Sequence, residues 1–269
     1  MPLESRVVLI TGASSGIGRS AATYLAEKGY RVFGASRSRP SGQYSFEWVA
    51  MDVTDETSVR QAMSSVWEKA QRLDVVVNNA GLGIVGPLEE TPDTLIERVL
   101  QTNFLGVLRV CRQALPYLRH HEGGMIINVS SIAGAMGLPY RGIYSASKAA
   151  VKVLTEALSM ELKAQNIRVC SVLPGDIATP INTNRLVVPL VPNSVYQTTF
   201  ERIQSQINHE VANASDPIIV AKLIARIMEK PRPRLHYTVG PFLQKFSVWL
   251  KVFLPDRLFE YILMKFYKV

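Results

Sequence analysis

Tyr144 and Lys148, in the run Tyr144-Ser145-Ala146-Ser147-Lys148, lie about one helical turn apart, so a phenol and an ammonium share a face. A free tyrosine titrates near pH ~10, and a neighbouring cation favours its phenolate, so the pair could exchange a proton near neutral pH. Such a group could protonate a carbonyl oxygen as hydride reaches the carbon. Taken alone, the pair also fits a packed tyrosine beside a solvated lysine. The elements that would have to position it decide between the two.

Val7 to Thr11 is a short apolar, β-branched run of the kind that forms a buried parallel strand. Gly12, Gly16 and Gly18 follow at once, in Gly12-Ala13-Ser14-Ser15-Gly16-Ile17-Gly18, before an amphipathic segment that runs to Lys28. Glycines here permit a tight turn and a close backbone approach to a pyrophosphate, while the helix N-terminus offers free N–H groups and a favourable dipole. Three further strands each end in a polar or glycine-containing motif. Asn78-Asn79-Ala80-Gly81 follows Val75 to Val77, Ser130-Ser131 follows Met125 to Val129, and Pro174-Gly175 follows Ile167 to Leu173.

The Gly-x-x-x-Gly-x-Gly spacing, with these motifs in this order, resembles the short-chain dehydrogenase/reductase family over about residues 5 to 240. The resemblance implies an α/β, doubly wound Rossmann-type parallel sheet with helices on both faces. It assigns Tyr144 as general acid/base, and has Lys148 lower the tyrosine pKa and hydrogen-bond the nicotinamide ribose. Ser131, thirteen positions before Tyr144, matches the family serine that holds the substrate oxygen. Ser130 competes with it, but neighbours in a strand point to opposite faces, so one serine only should face the site. Asn103 matches the asparagine that supports a helix kink and a water relay to Lys148. Tyr117 and Tyr140 lack a lysine four positions on and read as packing or substrate-facing residues.

The same resemblance distributes a dinucleotide along the chain. Gly12, Ser14, Ser15, Gly16, Ile17 and Gly18 would hold the pyrophosphate, and Asp52 and Val53 the adenine. Asp52 could equally cap the following helix. Asn78, Asn79, Ala80 and Gly81 would lie along the adenosine ribose, and Pro174, Gly175, Ile177 and Thr179 at the nicotinamide. A carboxylate at the end of the second strand would favour NAD, but Arg31 to Ala35 is followed by Ser36-Arg37-Ser38-Arg39. Ser36 and Arg37, with help from Arg39, suit a 2′-phosphate, so NADP(H) is expected. No metal is required.

Apolar strands alternate with helical segments from residue 7 to about 174, which argues for one parallel-sheet domain spanning 1–241. A later helix is expected to begin at Asp216-Pro217 and a last strand near Leu235 to Val239. Cys111 and Cys170 read as buried, reduced residues, and the N-terminal residues 1–6 lack an apolar leader, so a cytoplasmic location is expected. The net charge of +8 comes from scattered Lys and Arg with no basic run, which argues against nucleic acid.

Three segments should close the substrate pocket: Leu82 to Pro87, Ala135 to Arg141, and a lid over about 177–212. The proline-interrupted run from Leu186 to Pro192 reads as a mobile, greasy part of that lid. Residues 242–269 extend past the family core as amphipathic helix broken at Pro255, and could cover the pocket, form an oligomer arm or touch a membrane peripherally. A homodimer or homotetramer is expected. The substrate is expected to be a small hydrophobic ketone, aldehyde or alcohol. A 3-oxoacyl (carrier-protein) reductase and a nonenzymatic NADPH-sensing protein are the competing readings.

Overall fold

Alternation of side chains along β1 (Val7–Thr11) sends Val7 and Leu9 into one core and Val8 and Ile10 into another, which is why this strand is buried on both faces. The computed structural model describes residues 6–39, 42–120, 123–179, 184–212 and 214–269; residues 1–5 and part of the expected lid, 180–183, lie outside them. β1 pairs with β2 (Arg31–Ser36), and β2 with β3 (Glu47–Ala50). On its other side β1 pairs with β4 (Val75–Asn78). After a short β5 (Ile84–Val85) the sheet continues through β6 (Gly124–Val129) and β7 (Ile167–Pro174). A two-residue β8 (Leu186–Val187) pairs with β5, and β9 (His236–Val239) closes the main sheet. The order is β3-β2-β1-β4-β6-β7-β9, every pair parallel.

Helices cover both faces, as parallel crossovers require. α1 (Gly16–Glu27) lies on the face shared by Val8 and Ile10, where it buries Ala21, Ala22 and Leu25. α2 (Glu56–Ala70) lies on the other, joined by α4 (Gly106–Leu118) and α5 (Gly142–Glu161); α3 (Asp93–Leu100) precedes them. Later come α6 (Gln197–Ala212), α7 (Ile218–Met228), which packs beside α1, α8 (Phe242–Phe253) and α9 (Asp256–Tyr267). The expected fold class is the one observed. Buried polar groups cross the α5 face of the sheet as a chain: Asn78 Nδ2 donates to Asn128 Oδ1 at 2.8 Å, and Asn128 Nδ2 to Thr155 Oγ1 at 2.9 Å.

Several local features refine or correct the expectations. Asn103 lies in a π-helical turn, Gln101–Leu105, that joins α3 to α4. The helix expected at Asp216-Pro217 starts at Ile218; Asp216 still serves it, because its Oδ1 accepts from Ile218 N at 2.7 Å. Asp55, not Asp52, caps α2 through Thr57 N, while Asp52 accepts from Thr54 N and Oγ1 in a tight turn. Beyond the short strand β8, the expected lid contains the 16-residue helix α6, whose Phe200, Ile203 and Ile207 are buried against Val85.

Gly12 and Gly18 let the first loop close on itself. Gly12 has φ +68°, and a Cβ at Gly18 would sit 2.4 Å from Gly12 O and from Asn79 Nδ2. Gly18→Ala should therefore cost about 1–3 kcal/mol of unfolding free energy, the usual range for overpacking. A denaturation midpoint equal to that of the parent protein would show that the loop yields instead.

Candidate active site

The first turns of α5 carry Tyr144 and Lys148, and both side chains reach a cavity of about 840 Å³. Ser131 lies opposite. It follows β6, caps a 3₁₀ turn by accepting from Ala133 N at 3.1 Å, and hydrogen-bonds the Tyr144 hydroxyl. Ser130 also borders the cavity, but its hydroxyl donates to Lys148 O at 2.7 Å and so pins α5 to the sheet. Of the two serines, Ser131, the one chosen on spacing, is the one whose hydroxyl bonds Tyr144.

The electrostatics differ from the simple picture of a phenol acidified by a lysine. Burial pushes the Tyr144 pKa up; the bond from Ser131 and the nearby Arg141 charge pull it down, and Asp176 pushes it up again. Lys148 donates to Val129 O at 3.0 Å, and burial lowers its own pKa to about 8. Desolvation thus outweighs the Ser131 bond and the Arg141 charge at Tyr144, which holds its proton at neutral pH. Since an alkoxide is far more basic than a phenolate, donation to it remains downhill.

Asn103 is fully buried and does not line the cavity. Its Oδ1 accepts from Leu82 N at 2.7 Å, and its Nδ2 donates to Leu82 O at 2.9 Å and Ser147 Oγ at 3.0 Å. A Cβ at Gly81 would meet Asn103 Oδ1 and Lys148 Nζ, each at 3.3 Å, so the asparagine and the lysine flank one point of the loop after β4.

The rest of the same cavity runs along the C-terminal ends of the strands. Gly12, Ser14, Ser15, Gly16 and Ile17 line it after β1, Ser36 and Arg37 after β2, and Asp52 and Val53 after β3. Asn79, Ala80 and Gly81 follow β4, and Pro174, Gly175, Ile177 and Thr179 follow or end β7. Gly18 lies behind the loop as its packing contact. Asn78 is withdrawn into the sheet, bonded to Asn128, and does not reach the cavity; Asn79 instead ties the glycine loop through Thr11 O at 2.9 Å and Gly12 O at 3.3 Å.

These residues fit a dinucleotide on two observations. The N-terminus of α1 has no side-chain cap and no acidic residue in its first turn, yet Ser15, Gly16 and Ile17 at that end border the cavity. Free N–H groups and a positive dipole end therefore face an open space suited to phosphate. At β2 no carboxylate follows the strand. Ser36 donates to Ser38 O and accepts from Trp48 Nε1; the exposed Arg37 borders the cavity at that end, whereas Arg39, also exposed, is not among the lining residues.

Sequence reading missed the opposite, substrate-side wall. Asp176 and Glu210 both border the cavity, and among the described residues neither forms an ion pair. Asp176 accepts from Gln244 Nε2, and Glu210 from Gln206 Nε2 at 3.1 Å. Burial pushes the Glu210 carboxyl up, and the Asp176 charge adds to the effect. Arg141 and Arg185 also border this space; Arg141 donates to the Tyr267 hydroxyl and Arg185 to Asn208 Oδ1. Leu243, Phe246 and Leu250 of α8, with Phe259, Ile262, Leu263, Phe266 and Tyr267 of α9, complete an apolar wall. All three segments expected to close the pocket contribute residues, and the C-terminal extension is a fourth.

The family model for short chain dehydrogenase matches residues 6–186. The chain belongs to that family. It is 39% identical over 268 residues to a 3-ketodihydrosphingosine reductase of Bacteroides thetaiotaomicron, covering 99% of this chain and 100% of the relative. A 3-oxoacyl-(acyl-carrier-protein) reductase of Thermotoga maritima is 34% identical over 213 residues, 76% of this chain and 84% of its own. Among solved structures, a short chain dehydrogenase/reductase of Burkholderia phymatum in complex with NAD superposes with a TM-score of 0.80 at 25% identity, covering 97% of this chain and 96% of that one. Short-chain dehydrogenases are NAD(P)-dependent oxidoreductases, in keeping with the fit of the cavity.

In this short-chain dehydrogenase the buried Lys148 charge has a measurable signature. Its folded pKa of about 8 lies below the ordinary 10.5, so between these values the unfolded chain holds a proton that the folded chain has released. Its contribution to stability therefore rises with pH across that window, and below pH 8 it is a constant penalty of about 3 kcal/mol. The stability difference between the parent and Lys148→Met, from urea unfolding, should shift in favour of the parent from pH 8 to 10.5. A difference that stays constant over that range would contradict a depressed lysine.

Proposed function

We propose that this short-chain dehydrogenase is an NADP(H)-dependent reductase of long-chain amino ketones, of which 3-ketodihydrosphingosine is the model substrate. One observation carries the reading: a single cavity joins the Ser131–Tyr144 pair, two carboxylates that form no ion pair among the described residues, and a long apolar wall. A 3-keto sphingoid base needs each of these. Its carbonyl needs a hydroxyl pair, its ammonium an anion, and its alkyl chain a greasy surface. Similarity to the Bacteroides enzyme along the full length of both chains supports the same reading.

When bound, the dinucleotide supplies hydride to the carbonyl carbon. The chain supplies the rest. Ser131 holds the substrate oxygen and Tyr144 gives it a proton, so that charge building on oxygen is met by a positioned donor. Lys148 would hold the nicotinamide ribose and return a proton to Tyr144, with Asn103 keeping the loop after β4 in place. Arg37 would pair with the 2′-phosphate, and Asp176 with Glu210 would receive the substrate ammonium, offsetting Arg141 and Arg185 nearby.

Steady-state kinetics should show faster turnover with NADPH than NADH, and Arg37→Asp should reverse that order. The double variant Asp176→Asn, Glu210→Gln should raise KM for 3-ketodihydrosphingosine by about 10-fold or more, while leaving a matching long-chain ketone without the amine unaffected; hydrogen bonds to charged groups contribute about 1.5–3 kcal/mol. Equal use of NADH would remove the NADP assignment. Faster turnover of a 3-oxoacyl thioester than of the amino ketone would favour the acyl reductase reading instead.

A further inference from the structure

α8 and α9 leave a broad apolar surface on the side away from the sheet. Phe242, Trp249, Val252 and Phe253 on α8 are 73%, 52%, 75% and 63% exposed. Their rings form a ladder, with Phe242–Phe246 at 6.0 Å, Phe246–Trp249 at 5.6 Å and Trp249–Phe253 at 4.4 Å. On α9, Leu258, Tyr261, Met264 and Phe266 are also exposed.

The inner side of the pair is held to the body. Gln244 bonds Asp176, Arg141 bonds Tyr267, and Arg202 donates to Lys268 O at 2.8 Å. The outer face is therefore a fixed surface, presented by two anchored helices. Its charge is one-sided. Both acidic residues of the segment are already paired, Asp256 with Lys251 and Glu260 with Arg257, whereas Lys245, Lys265 and Lys268 make no ion pair among the described residues. Aromatic residues flanked by unpaired lysines are the chemistry of the interface between acyl chains and anionic headgroups.

Continuity with the cavity is the second observation. Leu243, Phe246, Ile262 and Phe266 line the cavity and are also exposed, so the cavity wall is continuous with the apolar face. Among the described residues no helix is long and apolar enough to cross a membrane, so any contact of these helices with a bilayer is at its surface.

We propose that the outer face of α8 and α9 docks on an anionic lipid bilayer, and that the substrate alkyl chain passes from the bilayer into the cavity between the two helices. The docking stands on the surface alone; the passage of substrate rests on the amino-ketone reading above.

The test is sedimentation of the full chain with vesicles of phosphatidylcholine, alone or mixed equally with phosphatidylglycerol. Binding should be at least about tenfold stronger to the mixed vesicles, with a blue shift of tryptophan emission. Phe242→Ser, Trp249→Ser and Phe253→Ser combined should lose at least about tenfold of that binding while keeping the parent melting temperature. Lys245→Glu with Lys265→Glu should lose the anionic preference while leaving Phe242, Trp249 and Phe253 in place. Substrate passage is read separately, by turnover of 3-ketodihydrosphingosine in vesicles against detergent micelles; the serine variant should lose the vesicle rate alone. No binding to either vesicle, or a parent dimer that the serine variant dissociates without any vesicle binding, overturns the docking. Vesicle binding without turnover in micelles would overturn the amino-ketone reading and leave docking intact.

Discussion

All seven strands of the main sheet run in one direction, and the placement of every functional group follows from that constraint. Parallel strands end on the same rim, so the loops after β1, β2, β3, β4, β6 and β7 converge there. The order reverses beside β1: the chain first builds outward through β2 and β3, then crosses back to β4. Loops that leave β1 and β4 therefore part in opposite directions, and a crevice opens between them. The glycine loop borders it on one side and Asn79 to Gly81 on the other.

Into that crevice the fold sets polar groups at the cost of desolvation. Lys148 is buried with one carbonyl partner, and Tyr144 keeps its proton because burial outweighs the Ser131 bond and the Arg141 charge. Their positions are fixed by bonds made elsewhere. Ser130 holds the backbone of α5 at Lys148, and Asn103 clamps Leu82 and Ser147 from inside a π-helical turn. A mid-helix asparagine is locally unfavourable, and the widened turn gives its side chain three long-range hydrogen bonds, two to Leu82 and one to Ser147, in place of solvent.

What could be read from the chain was local. Val7 to Thr11, the glycine spacing and the four-residue step from Tyr144 to Lys148 each carry their own signal, and their motifs recur in the structure at the cavity. What could not be read depends on contacts distant in sequence. Asp176 follows β7 and Glu210 lies on α6, and only the tertiary fold brings the two to one cavity. Asn78 looked like part of the cofactor loop, yet strand alternation turns it inward to Asn128, 50 residues away. The helix at Gln197–Ala212 has a polar composition interrupted by few breakers, and the prolines just before it drew the whole segment into one irregular reading. Asp52 and Asp55 are both plausible caps by type; backbone geometry alone selects Asp55.

The C-terminal pair of helices ties these features to one kind of chemistry. Its apolar side chains line the same cavity as Ser131, Tyr144 and Lys148; under the proposed function the alkyl chain would lie along that wall and the carbonyl at the polar end. The account rests on Tyr144 as that donor. Its most direct test is turnover of 3-ketodihydrosphingosine by Tyr144→Phe, measured beside NADPH binding. Turnover should fall by about 10²–10⁴-fold, the usual worth of a positioned acid, with NADPH affinity unchanged. A variant that turns over within about tenfold of the parent would contradict the assignment of Tyr144 as the acid.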